Sequence, residues 1–282
     1  MCEKQLKEYE KQGNYEKIIE LVDKEILKNP KKVSSLLIKK AIALIQLKKY
    51  NRALTTLNVL LKDSNDKYVI YLLINECYVK LDEYEKGYIY LKKALETKPN
   101  DEFVLKQLSY CAYLTKKYQE CCNYIKTLIQ IDKADIEDYC NLIYCLIPLG
   151  EIENALKYSK KVLEIDPTNL DAYATLTVAY ESIEDNDKLK EVYSRILELD
   201  DDGSLQIMLL KSQAYLELGY EKEAFEFVEK AIKLNSYDPT PYLMKTMLCQ
   251  KLGMQEQAKE SLYEALNLEP NLLLRLMHIL PK

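Results

Sequence analysis

The sequence predicts an all-α protein built from about eight copies of one helical hairpin, and two observations lead to this prediction. The segment "YLKKALETKPNDEFVLKQLSYCAY" at residues 90–113 recurs in closely similar form as "YSKKVLEIDPTNLDAYATLTVAY" at residues 158–180. In addition, the 282 residues include only 6 Gly and 8 Pro, so few residues interrupt helices. A chain that repeats itself at a fixed spacing is built from copies of one structural unit.

The boundaries of the units follow from their endings. Shifting the sequence by one repeat length, about 34 residues, aligns short tails such as "LETKP" at Pro99 and "LEIDP" at Pro167. Each tail is expected to close a helix, because Pro cannot continue one and a following Asp, Asn or Ser can cap the next. We predict one continuous array over residues 1–282, followed by a C-terminal helix at 271–280. The predicted hairpins are residues 1–30, 31–65, 66–99, 100–133, 134–167, 168–201, 202–236 and 237–270.

A second break near the middle of most units divides each unit into two helices. It appears in "KQGNYEKI", "KLDEYEKGY" and "ELGYEKEAF". Four glycines occupy one equivalent place in this break, where a left-handed residue ends a helix at low steric cost. They are Gly13, Gly150, Gly219 and Gly253.

Small residues recur where two antiparallel helices must approach closely. In the second helix of the hairpin they are Ala53, Gly87, Cys121, Ala155, Ala224 and Ala258. In the first helix they are Ala41, Ser109, Thr177, Ser212 and Thr246. Large residues are expected to fill the remaining interior at two further aligned places. These are Tyr9, Leu44, Tyr78, Leu146, Tyr180 and Tyr215 in the first helices, and Leu57, Leu91, Ile125, Tyr193, Val228 and Leu262 in the second.

A helix-turn-helix of about 34 residues with two small places, Tyr near the turn and Pro at the end resembles the tetratricopeptide repeat (TPR). The resemblance covers essentially the whole chain. It implies a right-handed superhelical solenoid whose first helices line a concave groove. The sequence departs from the family pattern at two places. The usual Ala is replaced by Ile18 and Leu189, and the usual Trp is replaced by Leu37, Tyr71, Leu105, Tyr139, Tyr173, Met208 and Tyr242. We expect the first and sixth hairpins to be splayed or shifted.

The resemblance also implies which residues line a peptide-binding groove. The family's groove places map to Leu72, Glu76, Phe103, Lys106, Tyr110, Tyr113, Cys140, Asn141, Tyr144, Ala174, Val178, Leu209, Gln213, Leu243 and Met247. This mixed apolar and aromatic surface has the composition of interface hot spots. Alternatively, the tyrosines only shield the hairpin interior. Lys106 and Asn141 resemble part of a clamp for a ligand carboxylate, but Tyr110, Asp171 and Thr175 stand at its other places, so no such clamp is predicted.

No catalytic or metal-binding constellation is predicted, and no cofactor is expected. Cys77, Cys111 and Cys145 occupy the same place in three successive units, and Ala43, Ala179 and Ala214 are the matching residues elsewhere. Ladder neighbours in such a stack lie on the order of 10 Å apart, whereas zinc needs sulfur ligands at about 2.3 Å. Cysteine therefore serves as a small buried apolar residue. The only His, His278, lacks a nearby nucleophile in sequence.

Charge and hydropathy narrow the class of partner. The net charge of −5 disfavours a nucleic-acid binder, which normally carries a basic surface. Residues 1–62 hold 14 basic and 7 acidic residues, whereas residues 132–202 hold 7 basic and 18 acidic ones. This asymmetry reflects either solvated helix faces or an oriented partner. The apolar runs are too short to span a bilayer, and no secretory signal is evident, so we expect a cytoplasmic protein.

The predicted function is a non-enzymatic scaffold that binds an extended peptide or a helix in its concave groove. The alternative is a structural or regulatory subunit of a larger complex, docked through its convex face and its C-terminal helix. The segment "NLLLRLMHIL" is apolar on nearly every face. We expect Leu273, Leu274, Met277 and Leu280 to contact a partner protein or a second copy of the chain.

Overall fold

A computed structural model of the protein describes residues 2–28, 33–270 and 272. These residues form sixteen α-helices and no strand. The first nine are α1 (Cys2–Lys11), α2 (Tyr15–Ile26), α3 (Val33–Gln46), α4 (Tyr50–Asp63), α5 (Tyr68–Val79), α6 (Tyr84–Thr97), α7 (Glu102–Leu114), α8 (Tyr118–Gln130) and α9 (Ile136–Leu146). The others are α10 (Ile152–Ile165), α11 (Leu170–Ser182), α12 (Asn186–Glu198), α13 (Leu205–Glu217), α14 (Glu221–Leu234), α15 (Pro239–Lys251) and α16 (Gln255–Leu268).

The helices belong to two compact units, Met1–Leu149 with α1 to α9 and Gly150–Lys282 with α10 to α16. Two helices fall within each of the eight repeats that the sequence predicts, and the odd-numbered helices are the first helices. The all-α prediction is confirmed. That all the repeats form one continuous array stays a prediction.

Polar residues after the predicted tails cap the first helices. Each accepts a hydrogen bond through its side chain from a backbone N–H in the first turn of the helix that follows, which satisfies one of the unpaired donors there. These N-caps are Asp101 of α7, Asp135 of α9, Asn169 of α11, Ser204 of α13 and Asp238 of α15. The capping expected at the tails is thus confirmed at these five helices.

The turn inside each hairpin uses a residue with positive φ. Gly13, Gly150, Gly219 and Gly253 have φ between 64° and 86°, as the sequence predicts. After α1, the N–H of Gly13 donates to the carbonyl of Glu10 (3.2 Å) and that of Asn14 to the carbonyl of Tyr9 (2.9 Å). This hydrogen-bond pair is the Schellman motif, which ends a helix at a left-handed residue. The other four turns put a non-glycine residue at that place with φ of 56° or 57°, namely Lys48, Asp82, Lys116 and Glu184.

Replacing Glu184 by Gly is therefore expected to raise the free energy of unfolding by about 1 kcal/mol. Its φ of 56° costs a residue with a Cβ about 1–2 kcal/mol, part of which the flexible glycine gives back in the unfolded chain. Urea unfolding followed by circular dichroism measures the change. The matched control is Lys190→Gly in the interior of α12, which should lower stability by about 1 kcal/mol. Equal destabilisation by both variants would contradict this account of the turn.

The small residues lie between the helices, as predicted. Ser212, on α13, is completely buried, and its hydroxyl donates to the backbone carbonyl of Ala224 on α14 at 2.9 Å. Such a contact requires that the two backbones approach closely. The equivalent Ala41 and Ala53, in α3 and α4, are also completely buried. Around them, aliphatic side chains such as Leu57 form the core of the first unit.

Candidate partner-binding site

The first helices of the first unit expose a set of large apolar side chains. Between 38% and 56% of the surface of each of these residues is accessible, although most other residues of the same helices are buried or half-buried. We call this set the apolar row, and it consists of Ile42 on α3, Val69 on α5, and Phe103, Tyr110 and Leu114 on α7. Val69 and Phe103 occupy the same place in successive repeats, and Ile42 and Tyr110 share another place.

The helical period explains why α7 exposes part of its apolar surface. Val104, Leu108 and Cys111 are completely buried and follow the three- and four-residue spacing of one face. Phe103 and Tyr110 are separated by about two helical turns, so they lie together on another face. The helix therefore has an interior face and a second apolar face that the described chain leaves accessible.

Polar contacts join successive first helices in this unit. The hydroxyl of Tyr68, at the start of α5, donates to the carboxylate of Asp101, the N-cap of α7, at 2.9 Å. The Lys106 ammonium of α7 donates to Asp135, the N-cap of α9, at 2.6 Å. Both contacts involve an N-cap carboxylate. They therefore fix the start of α7 relative to α5 and the start of α9 relative to α7.

Lys106, Tyr110 and Asn141, three of the residues predicted for the groove, line one pocket of about 300 Å³. The pocket is also lined by Gln107, Ser109, Asp135, Glu137 and Asp138. The Lys106 ammonium lies 2.6 Å from Asp135 and 3.6 Å from Asp138.

The charge of this pocket favours a cationic ligand group. The hydrogen bond to Asp135 raises the pKa of Lys106, so this side chain stays protonated. Burial raises the pKa of Asp138, whereas for Asp135 the hydrogen bonds from Lys106 and from the Asp138 N–H outweigh burial and lower the pKa. Three carboxylates line the pocket beside one ammonium, which Asp135 and Asp138 already engage. A ligand carboxylate would meet these acids.

The other residues predicted for the groove differ in exposure. In the first unit, Leu72, Glu76, Tyr113 and Tyr144 are half-buried, and Cys140 is buried with 6% exposed. In the second unit, Val178 and Met247 are exposed, and Ala174, Leu209, Gln213 and Leu243 are half-buried. The amide of Gln213 already donates to Glu181 and Tyr193. Cys140 therefore offers little surface to a ligand.

Sequence reasoning missed Ile42, Val69 and Leu114 of the apolar row. The signal for two of them was present, since Ile42 lies one repeat length before Glu76, and Val69 lies one repeat length before Phe103. Leu114 directly follows Tyr113, one place beyond the family's groove positions. The predicted contact residues Leu273, Leu274, Met277 and Leu280 lie outside the described residues.

The cysteine ladder is buried, and its thiols are protonated. Cys77, Cys111 and Cys145 are all 0% exposed. Burial raises the pKa of Cys77 to about 12 and that of Cys111 to about 11. A hydrogen bond with Cys121, together with burial, raises the pKa of Cys145 to about 12. Since the thiolate is the reactive and metal-binding form, these residues behave as small apolar groups.

Within residues 2–28, 33–270 and 272, no group of three His, Cys, Asp or Glu side chains is arranged to hold a metal ion. None of the helices in these ranges has the length and apolarity needed to cross a membrane.

A family model described as tetratricopeptide repeat matches four segments, residues 69–101, 139–169, 205–238 and 240–272. These segments begin at or close to first helices and run to the tails that close the repeats. A search of curated protein sequences finds no match.

Several solved structures have a similar fold at low sequence identity. A chain of the APC/C hetero-tetramer Cut9-Hcn1 is 14% identical with a TM-score of 0.57, over 91% of this chain and 50% of that one, so this chain spans half its length. A tetratricopeptide repeat protein from Parabacteroides merdae is 13% identical with a TM-score of 0.57, and the match covers 94% of this chain and 97% of that one. MamA AMB-1 is 18% identical with a TM-score of 0.53, and the match covers 62% of this chain and 96% of that one.

Identities this low show a shared fold. The four matched segments are similar to the tetratricopeptide repeat, and the solved structures share the fold of this chain.

Proposed function

We propose that this protein is a non-enzymatic scaffold that binds an extended peptide or a helix of a partner protein along the first helices of its first unit. The observation that carries the proposal is the apolar row, whose residues are 38–56% exposed although the other apolar side chains of their helices are buried or half-buried. Exposed apolar patches mark interaction sites, and Val69 and Phe103 of the row recur at the same place in successive repeats. Phe and Tyr are also the residue types enriched at interface centres.

The pocket beside the row suggests the chemistry of the bound segment. Tyr110 belongs both to the row and to the pocket that Asp135, Glu137 and Asp138 make acidic. An apolar side chain of the ligand would pack on Phe103 and Tyr110, and a neighbouring Lys or Arg would reach the carboxylates. We therefore expect a segment that combines large apolar residues with a basic one. Nucleic acid is not an expected partner, and the cytoplasm remains the expected location.

Replacing Phe103 by Asp is expected to weaken partner binding at least tenfold, because the charge would be desolvated on contact with an apolar ligand. The partner is first isolated from native lysate by affinity purification and identified by mass spectrometry. The dissociation constant of the purified pair is then measured by biolayer interferometry. Ile89→Asp is the matched control, since Ile89 is 52% exposed on α6, a second helix of the same unit, and this variant should bind normally.

A second candidate function is a subunit of a larger complex docked through its second helices. Loss of binding in Ile89→Asp but not in Phe103→Asp would favour it. Val59, Ile89 and Tyr263 are exposed apolar residues on such helices, which is the specific observation in its favour. The Cut9-Hcn1 structure is described as a hetero-tetramer, so a protein of this fold can serve as such a subunit. Normal binding by Phe103→Asp together with loss of binding by Ile89→Asp would replace the proposed site with this one.

A further inference from the structure

The second unit contains a pocket of about 380 Å³ formed by α10, α11 and α12. Tyr173, Leu176 and Tyr180 of α11 form its floor, and Leu163 of α10 and Val192 of α12 form its apolar sides. The three floor residues are only 4–6% exposed, so they belong to the core and the pocket reaches down to it. This pocket has no part in the site proposed for the first unit.

A leucine stands near this pocket at a repeat position that neighbouring repeats fill with alanine. Leu189 of α12 stands where the preceding and following second helices, α10 and α14, have Ala155 and Ala224. Those alanines are completely buried, whereas Leu189 is half-buried against the core of the unit. Because the distance between packed helices depends on the side chains at their contact, a bulky residue here is expected to hold α12 away from α11 and to leave space beside it.

Five charged side chains surround the apolar floor. Lys160 and Glu164 come from α10, and Lys188, Glu191 and Arg195 come from α12.

Two of the cations share one carboxylate. Glu191 accepts hydrogen bonds from Lys188 at 2.9 Å and from Arg195 at 2.8 Å, and the bond from Lys188 contributes most to lowering its pKa. Lys160 makes no ion pair with any residue that the structure describes, and its ammonium lies 5.9 Å from the Tyr180 ring centroid. The rim thus offers one unneutralised cation and an arginine that can take a second carboxylate.

This positive rim is opposite in sign to the unit that carries it. Residues 150–282 hold 15 basic and 24 acidic residues, yet three of the five charged residues around the pocket are cations. Arg195 is one of only three arginines in a chain with 40 basic residues. Its planar guanidinium binds a carboxylate through two parallel hydrogen bonds, which an ammonium cannot do.

We propose that this pocket binds an acidic peptide segment of a partner protein. One large apolar side chain of the segment enters the pocket and packs on Tyr173, Leu176 and Tyr180, while adjacent carboxylates pair with Lys160 and Arg195. A peptide fits better than a small molecule because small-molecule sites enclose most of their ligand. Here Lys160, Glu164, Lys188 and Arg195 are all exposed, and a bound peptide can continue on both sides of the inserted side chain.

The test uses three capped peptides with the sequences Gly-Asp-Phe-Asp-Gly, Gly-Lys-Phe-Lys-Gly and Gly-Asp-Ala-Asp-Gly, titrated into the full chain. The readout is the ¹³C-methyl NMR signals of Leu163, Leu176 and Val192. The acidic peptide with Phe should shift these signals saturably, and the other two should bind at least tenfold more weakly. Arg195→Glu should weaken the acidic peptide at least tenfold. Lys190→Glu, the same charge reversal on α12 outside the pocket lining, should leave its affinity unchanged.

Three results would overturn the proposal. Equal shifts from all three peptides would show that neither the charge nor the apolar side chain is recognised. Unchanged affinity in Arg195→Glu, with circular dichroism like that of the natural chain, would remove the arginine from the site. Sodium 3-phenylpropionate binding as tightly as the peptide would assign the pocket to a small molecule. None of these results bears on the apolar row, which lies in the other unit.

Discussion

Replacing Tyr193 by Ala is expected to lower the free energy of unfolding by about 3–5 kcal/mol, the range for removing a buried aromatic ring. Tyr193 of α12 is 1% exposed and packs in a core cluster with Tyr173, Tyr180 and Leu210. Its hydroxyl donates to Glu181 at 2.9 Å and accepts from Gln213 at 3.3 Å. Side chains of α11, α12 and α13 therefore meet at this residue. Urea unfolding followed by circular dichroism measures the loss.

Two control variants isolate the contribution of the buried ring to stability. One removes only the hydroxyl of Tyr193, and the other removes an exposed tyrosine. Tyr193→Phe should cost only about 1 kcal/mol, the usual value of one hydrogen bond, because Glu181 is exposed and regains water. Tyr237→Ala should change stability by less than about 0.5 kcal/mol, since Tyr237 is 85% exposed. A Tyr193→Ala loss no larger than that of Tyr237→Ala would show that this residue does not organise the core.

The loss at Tyr193 should also be local. In repeat proteins each unit contacts mainly its neighbours, so stability spreads over nearest-neighbour contacts. Hydrogen exchange is therefore expected to speed up in α11, α12 and α13 of the variant, and to stay near its original rate in α1 to α4. Equal acceleration throughout the chain would point to a single cooperative structure instead.

The second large effect concerns Gly87 and Asn75, which face each other in the hairpin of α5 and α6. A Cβ on Gly87 would lie 2.7 Å from Oδ1 of Asn75, closer than real Cβ contacts. Asn75 is 4% exposed, and its Oδ1 accepts no hydrogen bond from any described residue. The glycine thus makes room for a buried asparagine at a place where the preceding hairpin has Ala41 facing Ala53.

A double-mutant cycle tests this pairing, with an expected coupling of about 2 kcal/mol. Gly87→Ala alone should destabilise by about 1 kcal/mol, because the clash outweighs the higher helix propensity of alanine. In an Asn75→Ala background the same change should instead stabilise by about 1 kcal/mol, since the clash is gone and the propensity gain remains. Thermal and urea unfolding measure all four proteins. Additive effects of the two substitutions would contradict the proposed contact.

Much of the fold could be predicted from local chemistry in the sequence. Gly13 and Gly219 mark turns because a left-handed residue is needed there, and Asn169 and Ser204 mark the starts of helices because their side chains cap backbone N–H groups. Each of these signals acts over a short stretch of chain. Repetition at a fixed spacing then amplified signals that would be weak in a single copy.

Other features could not be predicted, because they depend on contacts between distant residues. The left-handed backbone conformation occurs at Lys48, Lys116 and Glu184, although none of them is glycine. The position of the turn within the repeat imposes this conformation, whereas lysine and glutamate rarely adopt it. The hydrogen bond between Cys145 of α9 and Cys121 of α8 joins a first helix to a second helix, whereas the cysteine ladder predicted from the sequence lies on first helices alone. The same holds for the candidate sites, since the contact of Lys106 with Asp135 depends on how α7 and α9 pack.

Site-specific photo-crosslinking in cells tests most directly whether the first helices of the first unit bind the partner. The photoreactive amino acid p-benzoylphenylalanine is introduced in place of Phe103 in one variant and in place of Ile89 in another, and crosslinked peptides are identified by mass spectrometry. We predict that the Phe103 position crosslinks to one segment of a partner protein that contains apolar residues and a neighbouring basic residue, and that the Ile89 position gives no such product. Crosslinks from the Ile89 position alone would contradict the account.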